Sequence, residues 1–352
     1  MLNSRIEAFA KLGEIMRLAS ESYNSKNDIL KEQYPAFYES LQAAGYGNPW
    51  FTPSNIAFAL KSWSEVLTEV SINNWIEEYS DRILDTEPKR VAVIMAGNIP
   101  FVGFHDFFCT LVAGHRFIGK LSSDDKILLP AIAELLISID ISFKDVINFT
   151  ENKIENFDAI IATGSNNTAR YFEYYFSKYP HIIRKSRNGV AVLDGSETDE
   201  ELEMLGTDIC SYFGLGCRNV SKVFIPQGFP VEKLFTSIQP YVKALYDHYK
   251  YMNNYSYYRS IYLLNNTIHL DNGLFIITES EQYSSPIPVL NYERYTNIDA
   301  LKEKLMLNSE SIQCIATHIF TADTVVPLGR TQHPGLGEYA DGVDTMKFLL
   351  DL

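Results

Sequence analysis

Cys217 is the residue of this chain best placed to do covalent chemistry. It lies in Thr207-Asp-Ile-Cys-Ser-Tyr-Phe-Gly-Leu-Gly-Cys217-Arg-Asn-Val-Ser-Lys-Val-Phe-Ile-Pro226, where a short apolar helix runs into Gly214-Leu-Gly216 and a strand leaves from Val220 to Ile225. Glycines let a backbone turn sharply and approach a ligand closely. A thiol displayed on such a turn can attack an electrophile while a neighbouring amide N–H faces the developing oxyanion. The competing reading is a small buried hydrophobe, the usual fate of a cysteine outside disulfides and metal sites. Arg218 beside it is either a charge that favours a thiolate or a surface or phosphate-facing group.

Three further stations carry polar residues directly after apolar runs. Ala96-Gly-Asn98-Ile-Pro100 follows Val91–Met95, so the Asn98 amide would stand at a strand end, as an oxyanion donor or as part of an ordinary Asn-Gly turn. Gly119-Lys120-Leu-Ser122-Ser123 ends the next apolar run. Lys120 can donate to a ribose hydroxyl or a phosphate, and Ser122 and Ser123 can do the same or cap a helix. Thr163-Gly164-Ser165 sits between an apolar run and a helix, as a nucleotide-contacting turn or a simple cap. Neither GxGxxG nor GxxxxGK[ST] occurs, which argues against an ordinary Rossmann dehydrogenase and against a P-loop NTPase.

The elements that must position these residues change character along the chain. The first ninety residues read as helices: Leu2, Ile6, Phe9, Leu12, Ile15, Met16 and Ala19 form an apolar stripe, and Thr52-Pro53 starts a helix expected over 55–70. Strands are expected at Val91–Met95, Arg116–Lys120, Asp145–Phe149, Asp158–Ala162 and Gly189–Leu193, and helices at Phe101–Ala113, Asp124–Ile139 and from Thr163 through Tyr175. Such alternation implies a doubly wound parallel sheet that binds ligands beyond its strand ends. A second unit contains the Cys217 turn, the strand Val220–Ile225, a helix near Val231–His248 and apolar stretches at Gly273–Thr278 and Ile315–Thr321. The run Met346–Leu350 is expected as a strand rejoining a sheet. The expected division is a helical segment 1–90, a nucleotide-binding domain 91–204, a catalytic domain 205–325 and a returning tail 326–352.

Composition narrows the classes. With 352 residues, 46% hydrophobic and 21% charged, the chain is an ordinary globular protein of more than one domain. A net charge of −14 argues against nucleic acid as partner. The four cysteines (Cys109, Cys210, Cys217, Cys314) form no CxxC pair and no metal-ligand spacing, and no apolar run approaches a membrane span. The expected compartment is the cytoplasm, where thiols stay reduced. Cys109 and Cys314 sit in apolar runs, and His105, His115 and His333 show no triad spacing.

In this order the four stations resemble the aldehyde dehydrogenase superfamily and, within it, the acyl-CoA reductase family of bacterial bioluminescence, over about residues 91–350. The resemblance implies an aldehyde dehydrogenase-like α/β fold. It makes Asn98, in Ala96-Gly-Asn98-Ile-Pro100, the oxyanion amide, Lys120 the ribose ligand, Thr163-Gly164-Ser165 the turn covering pyrophosphate and nicotinamide, and Cys217 the nucleophile.

Three departures from the superfamily pattern refine the expectation. Where oxidising relatives carry Glu-Leu-Gly-Gly-Lys, this chain has Arg184-Lys-Ser-Arg-Asn-Gly-Val190, with no glutamate to activate water. Loss of that base favours exchange with a thiol over hydrolysis. Ser122-Ser123 follows Lys120 where NAD-specific relatives have glutamate, so NADPH is expected, with NADH as the alternative. Gln282, in Glu281-Gln-Tyr-Ser-Ser-Pro286, stands in place of the glutamate with which relatives grip the nicotinamide ribose, and its amide can still hydrogen-bond a hydroxyl.

The expected activity is therefore NADPH-dependent reduction of a long-chain acyl-CoA or acyl-protein thioester to an aldehyde through a Cys217 acyl-enzyme. The alternatives are an acyl phosphate reductase of the same fold and a non-catalytic nucleotide-binding scaffold in an acyl-transfer complex. The resemblance also implies an acyl-activating ligase and an acyl transferase as partners, and a homo-oligomer.

Overall fold

The computed structural model describes residues 2–23, 25 and 28–352. They divide into two compact units, residues 1–185 with 335–352, and residues 186–334.

The first unit opens with six helices: α1 (Leu2–Ser22), α2 (Ile29–Gln33), α3 (Pro35–Gly47), α4 (Pro53–Val66), α5 (Glu69–Ile76) and α6 (Ser80–Leu84). The stripe read from sequence is the buried face of α1. Helix α4 starts as expected, with the Thr52 hydroxyl accepting the Asn55 N–H at 3.2 Å and proline in the first turn. It ends at Val66, short of the expected 70, because Thr68 caps a new helix by accepting the Ser71 N–H.

There follow β1 (Arg90–Ile94), α7 (Phe104–Ala113), β2 (Arg116–Lys120), α8 (Leu128–Ile139), β3 (Ile147–Thr150), β4 (Ala159–Thr163), α9 (Asn166–Phe176) and β5 (His181–Arg184). The five strands form a parallel sheet in the order β3-β2-β1-β4-β5. The chain reverses direction across the sheet between β1 and β4, where such sheets open a crevice at their carboxyl ends. No helix joins β3 to β4: Ile154 and Phe157 of the connecting loop pack instead with Ala92, Ile160, Phe172 and Phe176.

The second unit holds β6 (Asn188–Val192), α10 (Asp199–Cys210), β7 (Val220–Pro226), α11 (Val242–Tyr246), α12 (Tyr249–Leu264), β8 (His269–Asp271), β9 (Ile276–Glu279), β10 (Val289–Tyr295), α13 (Ile298–Leu307), β11 (Ile312–Ala316) and β12 (Val325–Val326). Its sheet runs β12-β11-β6-β7-β10-β9-β8, parallel except for β8 against β9. Strand β6, expected with the strands before it, pairs here with β7 and β11. The helix expected near 231–248 is a 3-10 run, Val231–Tyr241, followed by α11, with Pro240 contributing no N–H.

The last helix, α14 (Thr345–Leu350), belongs to the first unit and replaces the strand expected at Met346–Leu350. Asp344 caps it by accepting the Lys347 N–H at 2.8 Å, and Met346 and Leu349, three apart, are both fully buried. A strand would have turned these two to opposite faces.

Candidate active site

Cys217 occupies the turn that enters β7, and it alone of the four cysteines is exposed. The backbone before it is bent by three successive left-handed residues, Tyr212 (φ 52°), Phe213 (φ 59°) and Gly214 (φ 79°). Only the glycine adopts that region without steric cost, so the two aromatic residues are held there by their surroundings.

Asn219, two residues past the cysteine, is the principal clamp. Its buried side-chain oxygen accepts the Gly216 N–H at 2.7 Å, and its amide donates to the carbonyls of Asp208 and Ser211 at 3.0 and 2.9 Å. Those carbonyls lie at the end of α10, where helices leave acceptors unmet. The turn is thus tied on one side to its own backbone and on the other to a helix end.

A second tie runs through Asp208, which is fully buried. Its carboxylate accepts the N–H of Gly329 at 2.7 Å and the N–H and hydroxyl of Thr331 at 3.0 and 2.8 Å. Thr331 in turn presents its carbonyl to the Arg218 side chain. Arg218 is therefore a strut between the cysteine turn and the 329–331 loop.

Burial pushes the Asp208 carboxyl from its ordinary 3.8 up to about 6, against the pull of its three donors. The folded chain therefore keeps this proton up to about pH 6, whereas the unfolded chain gives it up near pH 4. The group's stabilising contribution is whole below about pH 4 and is lost as pH rises through 6. Thermal melts across pH 4–7 should show wild type losing on the order of 2 kcal/mol relative to Asp208→Asn, which has no proton to lose. Parallel melting curves would show that Asp208 titrates alike in both states.

Lys222 on β7 has a side chain with no exposed surface. Its ammonium meets Glu293 at 2.5 Å and the Glu281 carbonyl at 2.9 Å, between the rings of Phe224 and Tyr283. Burial lowers its pKa and Glu293 raises it in opposition. Ser221 beside it donates to the Tyr283 carbonyl at 2.6 Å. Together these bonds fasten the loop from Ser280 to Pro288 against the start of β7, close in sequence to Cys217. Gln282 is on that loop, exposed, with its carbonyl accepting from Asn291 at 3.0 Å.

In the first unit the other stations gather at the carboxyl ends of β1, β2 and β4. Asn98 is exposed in the loop after β1. Gly97 beside it is required, since a Cβ there would lie 2.6 Å from Ser122 Oγ. Ser122 itself accepts the Asp124 N–H at 3.2 Å, and Ser123 is exposed on the same turn. Lys120 donates to the Glu151 carbonyl. Thr163 ends β4, the Gly164 N–H donates to the Arg184 carbonyl at 3.3 Å, and Ser165 caps α9 by accepting the Thr168 N–H at 3.2 Å.

Next to these strand ends a pocket of about 570 Å³ opens between the 151–158 loop and α9. Phe157, Tyr175, Phe176 and Tyr179 supply aromatic walls, and Lys120, Lys153 and Lys178 supply charge. Flat apolar walls with cations at the edge suit a planar heterocycle bearing phosphate, so these residues could hold a nucleotide cofactor.

Arg184, from the stretch that lacks the hydrolytic glutamate, is buried in the first unit. It makes a bidentate pair with Asp106 at 2.5 and 2.8 Å and donates to Thr345 at 3.1 Å. His105, next to Asp106 on α7, is half-buried; desolvation lowers its pKa and its Nε2 meets the Leu336 carbonyl at 2.9 Å. Burial raises the thiols of Cys109 and Cys210. Among the described residues Asp194, Glu197 and His318 form one oxygen and nitrogen cluster, with the Glu197 carboxylate already accepting the N–H groups of Asp194 and Gly195. No described helix is long and apolar enough to cross a membrane.

Asn219, Asp208 and Lys222 were not singled out from sequence. The one legible signal was their place among apolar residues of 207–225, where a buried polar group must find partners.

Residues 15–232 match the family model described as acyl-CoA reductase (LuxC). Comparison with curated proteins gives no match. Among solved structures, the chain is similar to the aldehyde dehydrogenase KauB from Pseudomonas aeruginosa, at 14% identity and TM-score 0.61 over 92% of this chain and 78% of that one. It is similar to aldehyde dehydrogenase 21 from Physcomitrella patens, in complex with succinate, at 14% identity and TM-score 0.59 over 99% and 87%. It is similar also to an aldehyde dehydrogenase from Mycobacterium tuberculosis complexed with NAD+, at 16% identity and TM-score 0.56 over 84% and 70%. These likenesses show an aldehyde dehydrogenase-like fold.

Proposed function

The chain belongs to the acyl-CoA reductase (LuxC) family, whose reaction is reduction of an acyl thioester to an aldehyde, and from that premise we propose that it reduces long-chain acyl thioesters with NADPH through an acyl-enzyme on Cys217. The observation that carries the residue assignment is that Cys217 alone among the cysteines is exposed, on a turn clamped by Asn219, inside the family match.

In this reading the Cys217 thiolate adds to the thioester carbonyl carbon. The Asn98 amide and the Cys217 N–H donate to the oxyanion. The carbon–sulfur bond to coenzyme A breaks, the coenzyme leaves as a thiol, and the acyl group stays on Cys217. A nicotinamide cofactor, when bound, would supply the hydride to the acyl carbon. The thiohemiacetal then expels the Cys217 sulfur and frees the aldehyde, so that thioester, NADPH and a proton give aldehyde, thiol and NADP+. Lys120 and the Thr163–Ser165 turn hold the cofactor, and Gln282 serves its ribose. The stretch 184–190 contains no carboxylate, and its Arg184 is sequestered by Asp106, which supports reduction over hydrolysis. An activating ligase and an acyl transferase would supply the acyl group, in a reducing cytoplasm.

The test is purified protein with acyl-CoA thioesters of graded chain length and either NADPH or NADH, followed at the nicotinamide absorbance. Oxidation of NADPH with matching aldehyde supports the proposal. Turnover of acyl phosphates alone would replace it, and nucleotide binding with no turnover of either would leave a scaffold.

A further inference from the structure

We propose that Lys153 and Lys178 recognise the phosphate on the adenosine ribose of the cofactor, and so set the preference for NADPH over NADH. The inference rests on the cofactor reading above and names residues outside the stations that reading uses. The two lysines approach one pocket from opposite sides: Lys153 lies on the loop that replaces a helix between β3 and β4, and Lys178 lies two residues past α9.

The charge around this pocket departs from that of the whole molecule. The chain carries −14, yet the lining has Lys120, Lys153 and Lys178 against one acid, Glu155. Lys120 is turned to the Glu151 carbonyl, and Lys126 nearby is paired with the Glu151 carboxylate at 2.5 Å. Among the described residues Lys153 meets Glu155 in an exposed contact at 3.7 Å, a pairing that a phosphate dianion would displace.

Ser122 and Ser123 carry less of this task. The Ser122 hydroxyl is engaged by the Asp124 N–H and packs against Gly97, while Ser123 stands exposed on the turn. A hydroxyl offers a phosphate a hydrogen bond without a counter-charge, whereas two ammonium groups offer ion pairs as well. The aromatic residues Phe157, Phe176 and Tyr179 give the adenine a surface common to both cofactors, so discrimination falls to the cations at the rim.

The experiment is calorimetric titration of the full chain with 5′-AMP, 2′,5′-ADP and 3′,5′-ADP, repeated for K153Q, K178Q and the double variant, with thermal melts to establish folding. The expected result is 2′,5′-ADP binding at least about tenfold tighter than 5′-AMP, and a double variant that binds the two nucleotides with equal affinity. The preference should also shrink as salt is raised. Equal affinity for 2′,5′-ADP and 5′-AMP in wild type, or a preference that survives both substitutions, overturns the role of the lysines and leaves the cofactor reading standing. A preference for 3′,5′-ADP transfers the clamp to coenzyme A and overturns the NADPH assignment. Failure of all three nucleotides to bind overturns the cofactor reading itself.

Discussion

Replacing Cys217 with alanine is expected to lower thioester reduction by at least about 10³-fold, with no change in melting temperature. The two halves of that result have separate causes. Removing a nucleophile removes the covalent route altogether, and the positioning and oxyanion donors left behind accelerate only what remains. Stability is unaffected because the side chain is exposed and fills no core position. Mass spectrometry of the protein after incubation with acyl-CoA provides the complementary measurement: wild type should gain one acyl group on Cys217, and the variant none. Cys210→Ala is the control, since burial keeps that thiol protonated. A variant at Cys217 that retains the wild-type rate would end the covalent mechanism.

The largest effect on stability is expected at Asp106. Its pair with Arg184 is almost wholly buried, at 5% and 8% side-chain exposure. Asp106→Ala leaves a guanidinium in a low-dielectric interior without its counter-charge, at a cost of about 3–5 kcal/mol. That corresponds to a melting temperature lower by roughly 10 °C. Because Arg184 also donates to Thr345 at the start of α14, proteolysis should first cut near the C-terminus in the variant. Substituting both partners together, Asp106→Leu with Arg184→Met, should restore most of the lost stability, since the double change removes the unpaired charge. A single variant that melts like wild type would mean that water reaches Arg184.

Local signals made much of this protein legible. The α1 stripe, the proline-and-threonine start of α4, and the short apolar runs that became β1, β2, β4 and β7 all follow from periodicity and capping, which act within one or two turns of chain. The ends of elements were less so. Helix α4 stops at Val66 because Thr68 caps the next helix, and α14 is helical because Asp344 caps it and α7 offers a face to Met346 and Leu349. A five-residue apolar run carries both possibilities until something packs against it.

The same distinction separates the chemistry from what holds it. By itself the amino-acid order determined which residues could react or bind: a thiol after Gly-Leu-Gly, an amide after β1, a lysine at the end of β2 and a Thr-Gly-Ser turn before α9. Reactive groups of this kind sit at element ends, and element ends are set by neighbouring residues. Tertiary structure alone decided which partners fix them. Asn219 joins the Cys217 turn to the end of α10, Asp208 reaches across 121 residues to Gly329, and Lys222 is closed in by Glu293 and two rings. The pocket beside α9 likewise exists because the helix-free loop between β3 and β4 packs against Ala92 and Ile160 of its own sheet and against Phe172 and Phe176 of α9. Burial of a polar group creates a demand for partners but does not name them, and the partners are chosen by which chain segments the packed sheets bring together.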